Sequence, residues 1–167
     1  MSSLDLISTW LSQVGRMKDA HYDASVYFER LNLLLGIPAV VLATLVGTTI
    51  FATIQQTTSL SLKIATGLLS VASAIFTGLQ TFLRYGERAE KHRIAKAQYG
   101  VLKADLERLA VFPLEDSGKL EGELKSFSSR WADIRQASPT IPIGLIKKRL
   151  SNEGEMVRIR EDAMIDF

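Results

Sequence analysis

Hydrophobic and polar positions divide this chain into three regimes. In the first, Leu4, Ile7, Leu11, Val14 and Met17 recur every three or four residues. Asp5, Arg16, Lys18, Asp19 and Asp23 fill the positions around them, and this periodicity predicts a helix over Leu4 to Leu35. In the second regime the alternation vanishes: between Leu31 and Leu83 the single charged residue is Lys63. After Arg84 the charges return and amphipathic spacing resumes.

The uncharged middle is long enough to cross a bilayer twice. Leu31 to Ile54 is about 24 residues, which at a helical rise of ~1.5 Å covers roughly 36 Å against a hydrocarbon core of about 30 Å. Pro38 lies near the start of this span, where a missing N–H and a small bend are tolerated. Ala39, Ala43 and Gly47 form a small-residue row that lets another helix approach closely. Gln55 to Ser61 (QQTTSLS) is a polar, uncharged turn, and a second span follows from Leu62 to Leu83. A turn that short makes the two spans an antiparallel hairpin. Two adjacent uncharged stretches of this length argue against a buried hairpin of a soluble domain.

Charge sets the expected orientation. Arg30 precedes the first span, and Arg84, Arg88, Lys91, Arg93 and Lys96 follow the second, while the turn offers Lys63 alone. The positive-inside rule therefore puts both termini in the cytoplasm of a multi-pass protein of a bacterial inner membrane. Cytoplasmic helices are expected over 4–30, 84–111 (running on from the second span without a break) and 119–137. Phe112-Pro113 ends the middle one, because the residue before proline avoids the helical region. The last carries Leu120, Leu124, Phe127, Trp131 and Ile134 on one face, and Ser138-Pro139 stops it. Within the C-terminal tail 138–167, the last 25 residues mix basic and acidic clusters, and helix, strand and tail stay open for them. The fold class is thus all-α: a two-span hairpin whose long helices extend into a cytoplasmic bundle, oligomeric if it is to conduct.

Composition narrows the chemistry. The 167 residues fit one domain, 1–137, with a C-terminal tail; Lys and Arg number 20 against 18 Asp and Glu, so neither sign dominates. The chain has no cysteine, which excludes disulfides and thiolate metal sites. The N-terminal MSSLDLISTWLSQ lacks a basic n-region and a short apolar core, so no signal peptide is expected. There is no Gly-rich phosphate loop, GxSxG or HExxH motif, and no carboxylate set at metal spacing. His21 and His92 sit among charged residues and are expected to be exposed. No catalytic residue, cofactor or metal ligand is assigned.

The second span carries the candidate site. Thr66, Ser70, Ser73, Thr77, Gln80 and Thr81 recur at spacings of three and four, a polar stripe on an apolar helix. Lipid cannot satisfy such a stripe, so it faces water, protein or its own backbone. Two readings stand: the lining of a narrow pore formed by several copies, or hydroxyls that bond i−4 carbonyls and serve helix packing. The same spacing continues to Arg84, Arg88 and Lys91, with Arg93 beside them. In a symmetric oligomer these cations would ring the inner mouth and suit a phosphate-bearing ligand. They can equally anchor to lipid headgroups, or pair with Glu87 and Glu90 on a solvated helix surface.

Asn32 with Gly36-Ile37-Pro38, Val46-Gly47-Thr48, Gly67-Leu68-Leu69-Ser70, Leu79-Gln80-Thr81-Phe82, and Glu87-Arg88-Ala89-Glu90-Lys91-His92-Arg93 with Tyr99 lie in order around the hairpin. In that order the chain resembles the SLATT family, two-transmembrane effectors associated with nucleotide-second-messenger synthetases in bacterial conflict systems. The likeness covers about Leu4 to Ala137. It implies a pore-forming effector of antiphage defence that answers an anionic nucleotide or oligonucleotide made by a partner nucleotidyltransferase. It supplies no catalytic residue and no ligand motif. One hairpin cannot enclose water, so a homo-oligomer is expected, with a tetramer preferred on geometry. The rival from another class is a non-conducting adaptor whose hairpin anchors a cytoplasmic interaction domain.

Overall fold

The computed structural model describes residues 3–53, 59–112 and 116–146. Four helices account for almost all of them: α1 (Ser3–Thr53), α2 (Leu60–Leu83), α3 (Tyr85–Val111) and α4 (Ser117–Ala137). No strand occurs among the described residues. One helical turn follows at 143–146, where the amide of Leu145 reaches the Pro142 carbonyl at 3.0 Å. Residues 147–167, most of the segment left open above, and 54–58, most of the expected turn, lie outside the described residues.

α1 is a single helix of 51 residues that absorbs both the amphipathic stretch and the first span. Pro38 lies inside it without ending it; the cost is one backbone bond, that to Leu34, in a helix held by neighbours on both sides. Most of its buried positions follow one register from end to end, with the fully buried Ala24 beside it. Ile7, Leu11, Val14, Lys18, His21, Ser25, Phe28, Asn32, Leu35, Ala39, Leu42, Val46 and Thr49 are buried or half-buried and alternate at spacings of four and three. That is the seven-residue seam of coiled-coil packing, kept through apolar and polar residues alike.

The chain divides into two compact units, Met1–Val26 with Glu90–Phe167, and Tyr27–Ala89. The first is a three-helix arrangement around Ile7 and Val14 of α1, Tyr99, Leu102 and Leu106 of α3, and Phe127 of α4. Trp10, Leu11, Leu124, Trp131 and Ile134 pack against that core. The α4 face is the one its periodicity predicts, and the helix starts two residues earlier than expected. Asp116 caps it, accepting from the amides of Gly118 at 2.9 Å and Lys119 at 3.4 Å, which satisfies donors the first turn leaves open. Arg130 reaches Asp105 of α3 at 2.8 Å.

The second unit holds α1 from Tyr27, α2, and the first turn of α3. α1 and α2 are each long and apolar enough to cross a membrane. Their outer surfaces are apolar: Leu34 and Val40 on α1, and Leu68 and Phe82 on α2, are 67, 67, 68 and 82 % exposed. Side chains of this kind on both helices leave a large surface that water would not cover favourably.

One expectation fails here. The helix does not run unbroken from the second span into 84–111. Arg84 takes a left-handed conformation (φ 49°, ψ 41°) between α2 and α3. The Arg84 amide donates to Gln80 at 3.2 Å and closes α2, and the Arg84 carbonyl accepts from the Arg88 amide at 3.2 Å and opens α3. One residue thus ends α2 and starts α3.

Candidate functional site

The polar residues of α2 divide between two edges of one face of the helix. The half-buried positions of α2 include Thr66, Leu69, Ser73, Phe76, Gln80 and Leu83, again alternating at three and four. This is the side that meets α1. Gln80 fixes the assignment, because its amide nitrogen lies 3.0 Å from the point a Cβ on Gly36 would occupy. A second contact of this kind joins α1 to the start of α3, where the Asn32 side chain covers Gly86 at 3.5–3.7 Å from the equivalent point. In both contacts a primary amide faces a glycine, which gives it room to lie against backbone.

Ser70, Thr77 and Thr81 remain exposed. Gly67 and Gly78 lie next to that face, and a Cβ added to either would meet nothing within 4 Å. Nothing described in the chain covers this side of α2.

The threonines satisfy themselves in part. Thr66 bonds the Leu62 carbonyl at 2.9 Å, Thr77 that of Ser73 at 2.9 Å, and Thr81 that of Thr77 at 3.0 Å. Each hydroxyl spends its proton on the preceding turn and keeps oxygen lone pairs outward. The face presented is therefore one of acceptors and small side chains, which can line a water path or let a neighbouring helix approach.

The four basic candidates fall two in each unit. In the second unit, Arg84 pairs with Glu87, its Nε 2.7 Å from Oε1. Arg88 carries its guanidinium 5.9 Å from the ring centroids of both Phe28 and Tyr85, which stack on each other at 5.9 Å. The left-handed residue at 84 interrupts the polar stripe before it reaches these cations, so the expected continuous face from Thr81 onward is not kept. In the other unit Arg93 pairs with Glu90 at 2.6 Å, and Lys91 is exposed. Both ion pairs are three residues apart on an exposed helix surface, each contributing about 0–1 kcal/mol, and a phosphate could displace either carboxylate.

The histidines overturn a second expectation. His21 and His92 are not exposed: each is 2 % accessible, and their Nδ1 atoms are 2.9 Å apart. Tyr99 stacks on His21 at 5.4 Å, and Lys96 holds its ammonium 4.4 Å from the Tyr22 ring centroid. Burial pulls the His21 pKa down to about 4, helped by the charge His92 would carry, and burial lowers His92 as well. Sequence spacing held the signal: Ile7, Val14, His21 and Phe28 follow at intervals of seven. The flanking Asp19 and Asp23 masked it, though both fall off the seam.

No cluster of three or more His, Asp or Glu side chains occurs among the described residues. Comparison with protein-family models, with characterised proteins and with solved structures gives no match.

Proposed function

We propose that this chain is a membrane-embedded helical hairpin that self-assembles into a pore through the uncovered face of α2. Its three-helix unit then acts as a cytoplasmic regulatory part that answers an anionic, phosphate-bearing signal. The observation that carries the reading is the face of Ser70, Thr77 and Thr81, exposed on a helix whose other outward residues include Leu68, Val71, Ile75, Leu79 and Phe82. In a bilayer those hydroxyl oxygens gain from water or from a second helix, and several copies placed around an axis supply both. Thr66, Ser73 and Gln80 stand at the edge of that lining on the side of α1, so they shape the hairpin more than the conduit. Four copies suit a narrow path. The resemblance to SLATT effectors supports a role in antiphage defence, with a nucleotide or oligonucleotide signal made by a partner nucleotidyltransferase. Arg84, Arg88, Lys91 and Arg93 are the residues proposed to meet it.

A second reading has its own observation. Three of the six polar residues are threonines that already bond their own helix, so the stripe does not require water. A non-conducting adaptor anchored by the hairpin would have the same α2. Reconstitution into liposomes separates the two. A pore gives ion flux that changes when cyclic oligonucleotides are added on the side of the termini, and Arg88→Glu with Lys91→Glu weakens that response without affecting insertion. Absence of flux across ligands and lipid compositions favours the adaptor.

A further inference from the structure

The seam that α1 contributes to the three-helix unit changes character along its length. Ile7, Leu11 and Val14 give it an apolar start, and Lys18, His21 and Ser25 follow at the same spacing. His21 meets His92 of α3 there, and the 2.9 Å between the two Nδ1 atoms dictates the chemistry. One Nδ1 carries a proton and donates; the other offers its lone pair, so the two rings hold opposite tautomers.

We propose that His21 and His92 form an acid-released latch between α1 and α3, closed while one imidazole accepts the other's Nδ1 proton. A first added proton can enter at the outer Nε2 of the donor ring and leave the link intact, at the cost of a buried charge. A second must take the lone pair on the shared axis. The hydrogen bond is then lost and two imidazolium cations stand in contact, so the seam opens to hydrate them.

The surroundings favour opening over a charged closed state. On α1, Lys18 stands one turn before His21, its ammonium 3.7 Å from Asp19. On α3, Lys96 stands one turn after His92 and lies over Tyr22, while Arg88, one turn before, is held over Phe28 and Tyr85. Tyr99 faces His21 through its ring. Asp19, which is half-buried, and Asp23 on α1, with the exposed Lys91 and Arg93 on α3, flank the pair in sequence. On α4, Asp133 and Arg135 are exposed. The cations one turn from the pair, Lys18, Arg88 and Lys96, oppose further positive charge there. The lowered pKa values agree in direction: unfolded rings take up protons around their ordinary value, near 6.5, whereas the folded His21 resists until about 4. Stability from the pair is therefore complete above that ordinary value and is lost as pH falls towards 4. The latch is independent of whether α2 conducts.

Amide hydrogen exchange on the full chain in lipid nanodiscs, corrected for the pH dependence of chemical exchange, tests it. Between pH 7.5 and 5.0, protection over 18–26 and 90–99 should fall about tenfold or more, a pKa unit corresponding to a factor of ten, while 102–109 holds. His21→Leu with His92→Leu should remove that dependence. Unchanged protection in the wild type, or an equal fall in the double variant, overturns the proposal. Imidazole 15N shifts of the wild type test it without any substitution. Rings still neutral at pH 5.5 support the latch, and rings that titrate near 6.5 in the folded chain refute it.

Discussion

Gln80 of α2 lays its amide nitrogen 3.0 Å from where a side chain on Gly36 of α1 would begin. The amide end is flexible, so the contact discriminates by size. Gly36→Ala asks the amide to move a few tenths of an ångström and gains helix propensity, leaving the hairpin within ~1 kcal/mol of wild type. Gly36→Leu cannot be accommodated that way and should cost about 1–3 kcal/mol through overpacking. Thermal unfolding in detergent micelles checks the pair, and equal effects of Ala and Leu would remove Gly36 from the interface.

Arg84 supplies a test of the joint between α2 and α3. A non-glycine residue at φ 49° carries a cost of about 1 kcal/mol, which glycine avoids. Arg84→Gly should therefore raise stability by roughly 0.5–1 kcal/mol despite losing the exposed pair with Glu87, and Arg84→Val should lower it. The same melts read both. A loss in the glycine variant would mean that the ion pair outweighs the backbone.

The three-helix unit reports on itself through tryptophan. Both tryptophans of the chain, Trp10 and Trp131, pack around Phe127, with Trp10 stacked on it at 5.3 Å and 16°. Phe127→Ala removes a ring that is 1 % exposed and should cost about 3–5 kcal/mol. Intrinsic fluorescence should shift to the red, and the transition followed by fluorescence should occur at lower denaturant.

Asp116 offers a milder perturbation. Its carboxylate receives two amides at the start of α4, so Asp116→Ala should destabilise that unit by about 1 kcal/mol, and Asp116→Asn by less. Denaturant midpoints from fluorescence measure the difference.

Much of this architecture was legible in the sequence because long apolar runs and three–four spacing are strong signals. The α4 face from Leu120 to Ile134 and the end of α3 at Val111 both follow from local pattern. Three features did not. A left-handed arginine has no composition cue, since Tyr85-Gly86 places the glycine two residues late. The burial of His21 was hidden by neighbouring aspartates, although its place in a seven-residue register pointed inward. The division of the α2 stripe depended on where α1 lies: Thr66, Ser73 and Gln80 differ from Ser70, Thr77 and Thr81 by a modest rotation about the axis. The periodicity of one helix does not reveal which edge of a face its neighbour covers.

The absence of cysteine makes the central claim directly measurable. A single Thr77→Cys or Ser70→Cys in the reconstituted protein can be challenged with a membrane-impermeant thiol reagent, beside Val71→Cys and Ile75→Cys on the apolar side. If the uncovered face of α2 lines water within an assembly, the first two react and their modification reduces ion flux, while the latter two stay protected. Equal protection at all four positions, with flux absent or unchanged, contradicts the account.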